Sequence, residues 1–244
     1  MRLSLRPCAL GLAAALFFSA VPVAPQGKQP DRPLEDILRH AAEKEAEYAG
    51  AHALYRYRLS VRVQEFSQDG RLLGEFEQTG DVDFDASGRR RLRLTENPYL
   101  DLVQLQLARV ELDDLDFIPL FIFKPEQLAD YDFTFVTAER VDEVDTYLIR
   151  VEPRRAARPG ERFFEGLIWI DAHKLDVVRA FGRLKPPRTA NAFKGLFQRV
   201  EVFRQPVGDF LFPIFVRADD VLVTRPDTVR TRLVVRFSNH ERVR

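Results

Sequence analysis

Asp81, Asp83 and Asp85 fall at alternate positions, the opening pattern of a calcium-binding loop. The sixth position of such a loop is then Ala86, where the sharp turn needs glycine. The twelfth is Leu92, where a bidentate glutamate belongs. The three aspartates therefore read as the solvated face of a strand that ends in a turn. The four histidines, His40, His52, His173 and His240, share no ligand spacing, and a metal site needs clustered ligands. All four read as surface residues, His173 within an Ala-His-Lys hairpin turn. No nucleophile elbow, phosphate loop or dinucleotide fingerprint is present, so the sequence offers no catalytic residues, no metal and no cofactor. Asp219 and Asp220 are adjacent carboxylates, but their arginine neighbours suit ion pairing better than acid–base work. Two basic clusters remain: Arg89 to Arg91 with Arg93, and Arg154 and Arg155 with Arg158. They have the chemistry to grip phosphate headgroups or an anionic membrane. Alternation sets Arg91 and Arg93 opposite Leu92 and Leu94, which favours cross-strand pairing with carboxylates.

What the charges leave over is apolar. The chain holds 20 phenylalanines against one methionine and one tryptophan. Such a surplus either fills a core or lines a cavity for acyl chains, and patterning alone does not separate the two. With a formal net charge of zero the chain lacks the basic face that nucleic acid requires. Arg2, Arg6 and the apolar run Ala9 to Val21 form a signal-peptide pattern, too short for a span of about 20 apolar residues. Residues 1–26 are read as removed, with an uncleaved anchor as the alternative. Residues 27–244 are read as one domain of about 220 residues, not an integral membrane protein. Cys8 lies in the leader without the residues that would make it a lipidation site. The mature chain has no cysteine, which excludes disulfides and fits a bacterial periplasm.

The elements that must carry these residues are mostly strands. Leu34, Ile37, Leu38, Ala41 and Ala42 recur at helical spacing, in a helix starting near Asp31 with Pro33 in its first turn and ending near Gly50. Tyr55, Tyr57, Leu59, Val61 and Val63 then alternate with arginine-bearing polar positions. Leu72, Phe76, Val82 and Phe84 alternate with acidic ones, so the two strands can pair arginine against carboxylate. Further strands are expected at 91–94, 102–107, 132–140, 145–151, 196–204, 210–217, 221–224 and 229–237. Helical turns are expected at 111–116 and from Pro125. Residues 162–183 read as a hairpin whose first strand carries Trp169, which its apolar pattern lets face either side. Regularly spaced strands without interleaved helices imply an α+β, mostly β fold: a large curved antiparallel sheet of about 10–11 strands. The concave face of this incomplete barrel needs cover. The N-terminal helix and the segment 110–130 supply it.

Residues 99–240 carry a more specific pattern. It runs through Glu111-Leu-Asp-Asp-Leu, Pro125-Glu-Gln-Leu-Ala-Asp-Tyr, Val141-Asp-Glu-Val-Asp-Thr-Tyr and Phe163-Phe-Glu-Gly-Leu-Ile-Trp-Ile-Asp. Phe203-Arg, Phe212-Pro, Arg217-Ala-Asp-Asp and Val235-Arg-Phe-Ser-Asn complete it. In order and spacing this resembles uncharacterised exported bacterial proteins of the outer-membrane lipoprotein-sorting class, within the LolA/LolB-like superfamily. The resemblance implies a half-barrel that holds acyl chains between sheet and helices, with an arginine latching the helical lid. No arginine of this sequence is assigned that part. On this reading the protein is a non-enzymatic carrier whose partner is a lipid or lipoprotein acyl chain, or else a sensor with a filled core that recognises an outer-membrane or periplasmic protein. The expected wall is Tyr57, Leu59, Val61, Phe76, Val82, Leu92 and Leu94, with Trp169. The expected lid is Leu34, Ile37 and Leu38 with Phe117, Leu120, Phe121 and Phe123.

Overall fold

The computed structural model describes residues 29–85, 89–96, 99–105, 118–159, 161–185, 196–223 and 228–243. The signal-peptide segment, the turn at 111–116 and Phe117 lie outside them.

One helix, α1 (Leu34–His52), precedes eleven strands. Pro33, extended at φ −55° and ψ 133°, stands just before the first helical turn, so the helix begins later than the sequence pattern suggests. Glu35 and Asp36 sit in that turn, where the helix dipole favours acidic groups. The strands are β1 (Tyr55–Phe66), β2 (Leu72–Phe84), β3 (Arg90–Leu94), β4 (Tyr99–Asp101), β5 (Tyr131–Val141), β6 (Val144–Pro153), β7 (Phe163–Asp171), β8 (Val177–Lys185), β9 (Val200–Val207), β10 (Phe210–Val223) and β11 (Thr228–Arg242). A 3-10 helix, Pro125–Asp130, leads into β5.

All eleven strands join one antiparallel sheet in the order β3-β2-β1-β11-β10-β9-β8-β7-β6-β5, with β4 also paired to β2. The sheet is a meander from β5 to β11, extended by the pairing of β11 with β1, and it stays open. Two expectations need correction. Of the strand expected over 102–107, residues 106 and 107 lie outside the described ones; 102–105 are not a strand and the pairing falls at β4 instead, because the Glu65 carboxylate takes the backbone N–H groups of Val103, Gln104 and Leu105 away from any ladder. The strands expected separately at 210–217 and 221–224 are one continuous β10 as far as Val223, Thr224 lying outside the described residues.

Period-2 patterning gives the sheet two unlike faces. The inner face carries Tyr57, Leu59, Val61 and Val63 of β1, Phe76 and Val82 of β2, and Leu233, Val235 and Phe237 of β11. Ile149 and Val151 of β6, Ile168 and Ile170 of β7, and Val200 and Val202 of β9 continue it. All belong to one apolar cluster with Ile37, Leu38, Ala41 and Ala42 of α1 and Ile118, Ile122 and Phe123 of the segment before the 3-10 helix. The helix and residues 118–123 therefore cover the inner face. Phe164 shows how closely that face is packed. Its ring lies against the cross-strand pair Gly166 and Gly182, where an added Cβ would stand 2.9 or 2.6 Å from it.

Candidate functional site

The inner wall is buried, not lined by open space. Tyr57 is 3% exposed, Leu59 and Val61 1%, Phe76 2% and Val82 0%. Leu92 is partly buried, and Leu94 opposite Gly80 is 38% exposed, so the wall thins at the β3 edge. Among the lid residues Ile37, Leu38 and Phe123 are buried, while Leu34, Leu120 and Phe121 are partly so. Trp169 lies apart from them. The β7–β8 register sets it opposite Arg179, whose guanidinium covers its ring at 4.6 Å, and its indole N–H donates to Glu139 at 2.5 Å. Trp169 therefore packs on the outer face.

What fastens α1 to the sheet is a buried ion pair. Glu45 falls on the α1 face that also buries Ile37, Leu38, Ala41 and Ala42. Arg204 falls on the β9 face of Val200 and Val202. The two side chains are 1% and 0% exposed and form a two-pronged bridge, its second prong 3.1 Å long. Each also reaches the loop. The Ile122 N–H donates to Glu45 at 2.6 Å, and Arg204 donates to the Leu120 carbonyl at 2.8 Å. Arg204 further donates to the Val177 carbonyl at 3.2 Å and stands 5.2 Å from the Phe121 ring centre. One arginine thus ties helix, loop and sheet together. Only its Nε–H lacks a partner. A second tie lies on the flank: Tyr48 donates to Asp176 at 2.8 Å and Lys44 reaches the same oxygen at 3.0 Å. Burial, then the Asp176 carboxylate, hold the Tyr48 hydroxyl well above its usual range.

At the end of α1, His52 is 4% exposed, against the expectation of a surface residue. It packs among Tyr57, Phe84, Phe121, Phe212 and His240, with centroids 5.0 to 6.4 Å away. Its Nε2 has no hydrogen-bond partner, and nor has that of half-buried His240. Burial pushes the His52 imidazole down to about 4, helped by His240, Arg90 and Arg204. Burial also lowers His240. Both rings are neutral members of an aromatic cluster. His40 and His173 are exposed.

The outer face is a different chemistry. Arg58 meets Asp81 at 3.4 Å, Arg62 meets Glu77 at 2.6 Å, and Arg154 meets Asp132 at 2.7 Å. Arg155 bridges Asp130 and Glu161, and Asp219 bridges Arg217 and Arg232. One row crosses five strands as Trp169, Arg179, Phe203, Phe215 and Arg236, each cation over an aromatic ring at 4.6 to 5.5 Å. Asp85 accepts the Arg89 N–H at 3.0 Å. Among the described residues no group of three or more His, Cys, Asp or Glu is placed to hold a metal ion. Nor is any helix among them long and apolar enough to cross a membrane.

No protein-family model matches the chain, and no curated protein matches it in sequence. Solved structures do match. A DUF1329 family protein from Desulfovibrio piger is 15% identical, with TM-score 0.38, covering 86% of this chain and 93% of that one. A LolA superfamily protein from Nitrosomonas europaea is 13% identical, with TM-score 0.32, covering 82% and 94%. An outer-membrane lipoprotein-sorting protein domain from Vibrio parahaemolyticus is 9% identical, with TM-score 0.33, covering 81% and 90%. The chain is similar to each of these over more than four-fifths of its length.

Proposed function

We propose that the protein is a non-enzymatic, carrier-like component of the bacterial periplasm that takes an acyl chain between the inner face of its sheet and the α1 lid. The observation that carries this reading is the Glu45–Arg204 pair. A buried ion pair costs several kcal/mol of desolvation per ion and adds little net stability. Here it stands where helix, loop and sheet meet over an apolar surface, the position of a fastener. Breaking it frees α1 and residues 118–123 together. An acyl chain can then replace the contacts that Ile37, Leu38, Ile122 and Phe123 make with the wall. Twelve buried methylenes contribute about 10 kcal/mol gross, enough to offset displacement and ordering. On this reading Tyr57, Leu59, Val61, Phe76 and Val82 are the wall of that site, and α1 packed against them closes it.

Native mass spectrometry of gently purified protein is expected to show bound lipid. A fluorescent fatty acid should enter delipidated protein faster when Arg204 is replaced by methionine. Protein that is lipid-free as purified, and excludes the probe even as Arg204→Met, overturns the carrier reading. The second reading would then stand. The wall's exposure of 3% or less suits a filled core whose sheet recognises another envelope protein.

A further inference from the structure

Carboxylates of the outer face mostly meet one or two cations, and Glu165 of β7 is the exception. Arg183 reaches it at 2.9 Å, Arg199 at 3.6 Å, and Lys185 also pairs with it. One carboxylate offers about four lone-pair sites, far fewer than the N–H donors of two guanidiniums and an ammonium. The arrangement is also layered. The Glu165 side chain is 18% exposed, whereas those of Lys185 and Arg199 are 41% and 48% exposed. The anion is recessed and the cations project.

Next to this cluster lies a groove of about 480 Å³, lined by Arg199, Arg217, Glu201, Asp219, Asp220 and Phe181. Its carboxylates are already engaged. Glu201 accepts from Arg179, Asp219 from Arg217 and Arg232, and Asp220 from the N–H groups of Phe197 and Val221. Phe181 is 37% exposed beside these charges.

We propose that this patch docks the protein onto an anionic phospholipid bilayer, with headgroup phosphates taking the N–H donors that Glu165 leaves over and Phe181 entering the interface. Guanidinium and ammonium groups bind phosphate oxygens with charge-assisted hydrogen bonds. The donors project from an open sheet face instead of enclosing a pocket, which suits a surface of repeated phosphates. An exposed aromatic ring beside cations also finds there an apolar boundary that a free phosphate lacks. Docking requires no acyl transfer, so its failure and that of the carrier reading are separately visible.

The test is flotation of the full chain with vesicles of phosphatidylglycerol in phosphatidylcholine, against phosphatidylcholine alone. The apolar run 9–21 is common to every variant and cancels in the ratio. Binding to the anionic vesicles should exceed binding to the neutral ones and fall with added salt. Lys185→Glu with Arg199→Glu should lower it at least about tenfold, since each basic residue near an anionic surface counts for a severalfold change. Arg56→Glu with Arg58→Glu makes the same charge change elsewhere on the outer face and should cost much less. Glu165→Gln should strengthen binding, a change of sign that misfolding does not produce. Equal losses in the two double variants, or weaker binding of Glu165→Gln, overturn the proposal. So does displacement by inorganic phosphate beyond that by sodium chloride of equal ionic strength, which would mark a soluble anion as the ligand.

Discussion

One layer of β-sheet separates two sets of opposite charges that obey different rules. On the inner face Glu45 and Arg204 are sealed from water, and their bonds to each other, to Ile122 and to Leu120 join helix, loop and sheet. On the outer face Arg62 and Glu77 stand at 2.6 Å with side chains more than one-third exposed, repeated with small changes across the sheet. The outer pairs are interchangeable and screened by solvent, and they keep the face polar. The inner pair is singular and fixes where the helix sits. The same two functional groups are thus a surface texture in one place and a fastener in the other.

Mutation should expose that difference most sharply at Arg204. Arg204→Met leaves the Glu45 carboxylate buried without its cation, and a loss of about 3–5 kcal/mol is expected in urea unfolding. Adding Glu45→Leu should recover most of it, because two apolar groups no longer need each other. A single variant within 1 kcal/mol of the parent would place the inner pair in the outer class.

The neutral imidazole of His52 sharpens the contrast through pH. Its folded value of about 4 lies below the ordinary 6.5, so the unfolded chain binds the proton first. Its contribution is whole above pH 6.5 and is lost as pH falls towards 4, on the order of 3 kcal/mol. His52→Phe should flatten the stability profile across that window. A parent profile already flat there would show that the ring is not buried neutral. The smallest effect belongs to the outer face, where Arg62→Ala should change stability by less than about 1 kcal/mol and less still at high salt.

The sheet was legible because its alternation is strict. Tyr57, Leu59, Val61 and Val63 on one side, and Arg56, Arg58 and Arg62 on the other, define β1 without any knowledge of its partners. The Glu45–Arg204 pair was harder to see. Its signal is a charge in phase with an apolar stripe: Glu45 follows Ala41 and Ala42 at helical spacing, and Arg204 follows Val200 and Val202 at strand spacing. Glu65 and His52 fall in phase with their apolar stripes in the same way, and both are buried. A charge out of pattern says that a partner exists but not which one, since Glu45 and Arg204 are 159 residues apart and meet only through the topology. The face of Trp169 was open for a related reason. Leu167, Ile168, Trp169 and Ile170 are apolar throughout, and only the pairing with Arg179 assigns the ring to the outer side.

The pairing of β11 with β1 carries a consequence for how the chain reaches this state. Tyr55 lies opposite Arg242, so the eleventh strand in chain order sits inside the sheet, between β1 and β10. Without it, β1, β2 and β3 share no strand pairing with the meander of β5 to β10. Closure of so long a loop before any reward is the slow step of folding in proteins dominated by distant contacts. The fifteen residues of β11 are thus the spine that joins the two halves of the sheet.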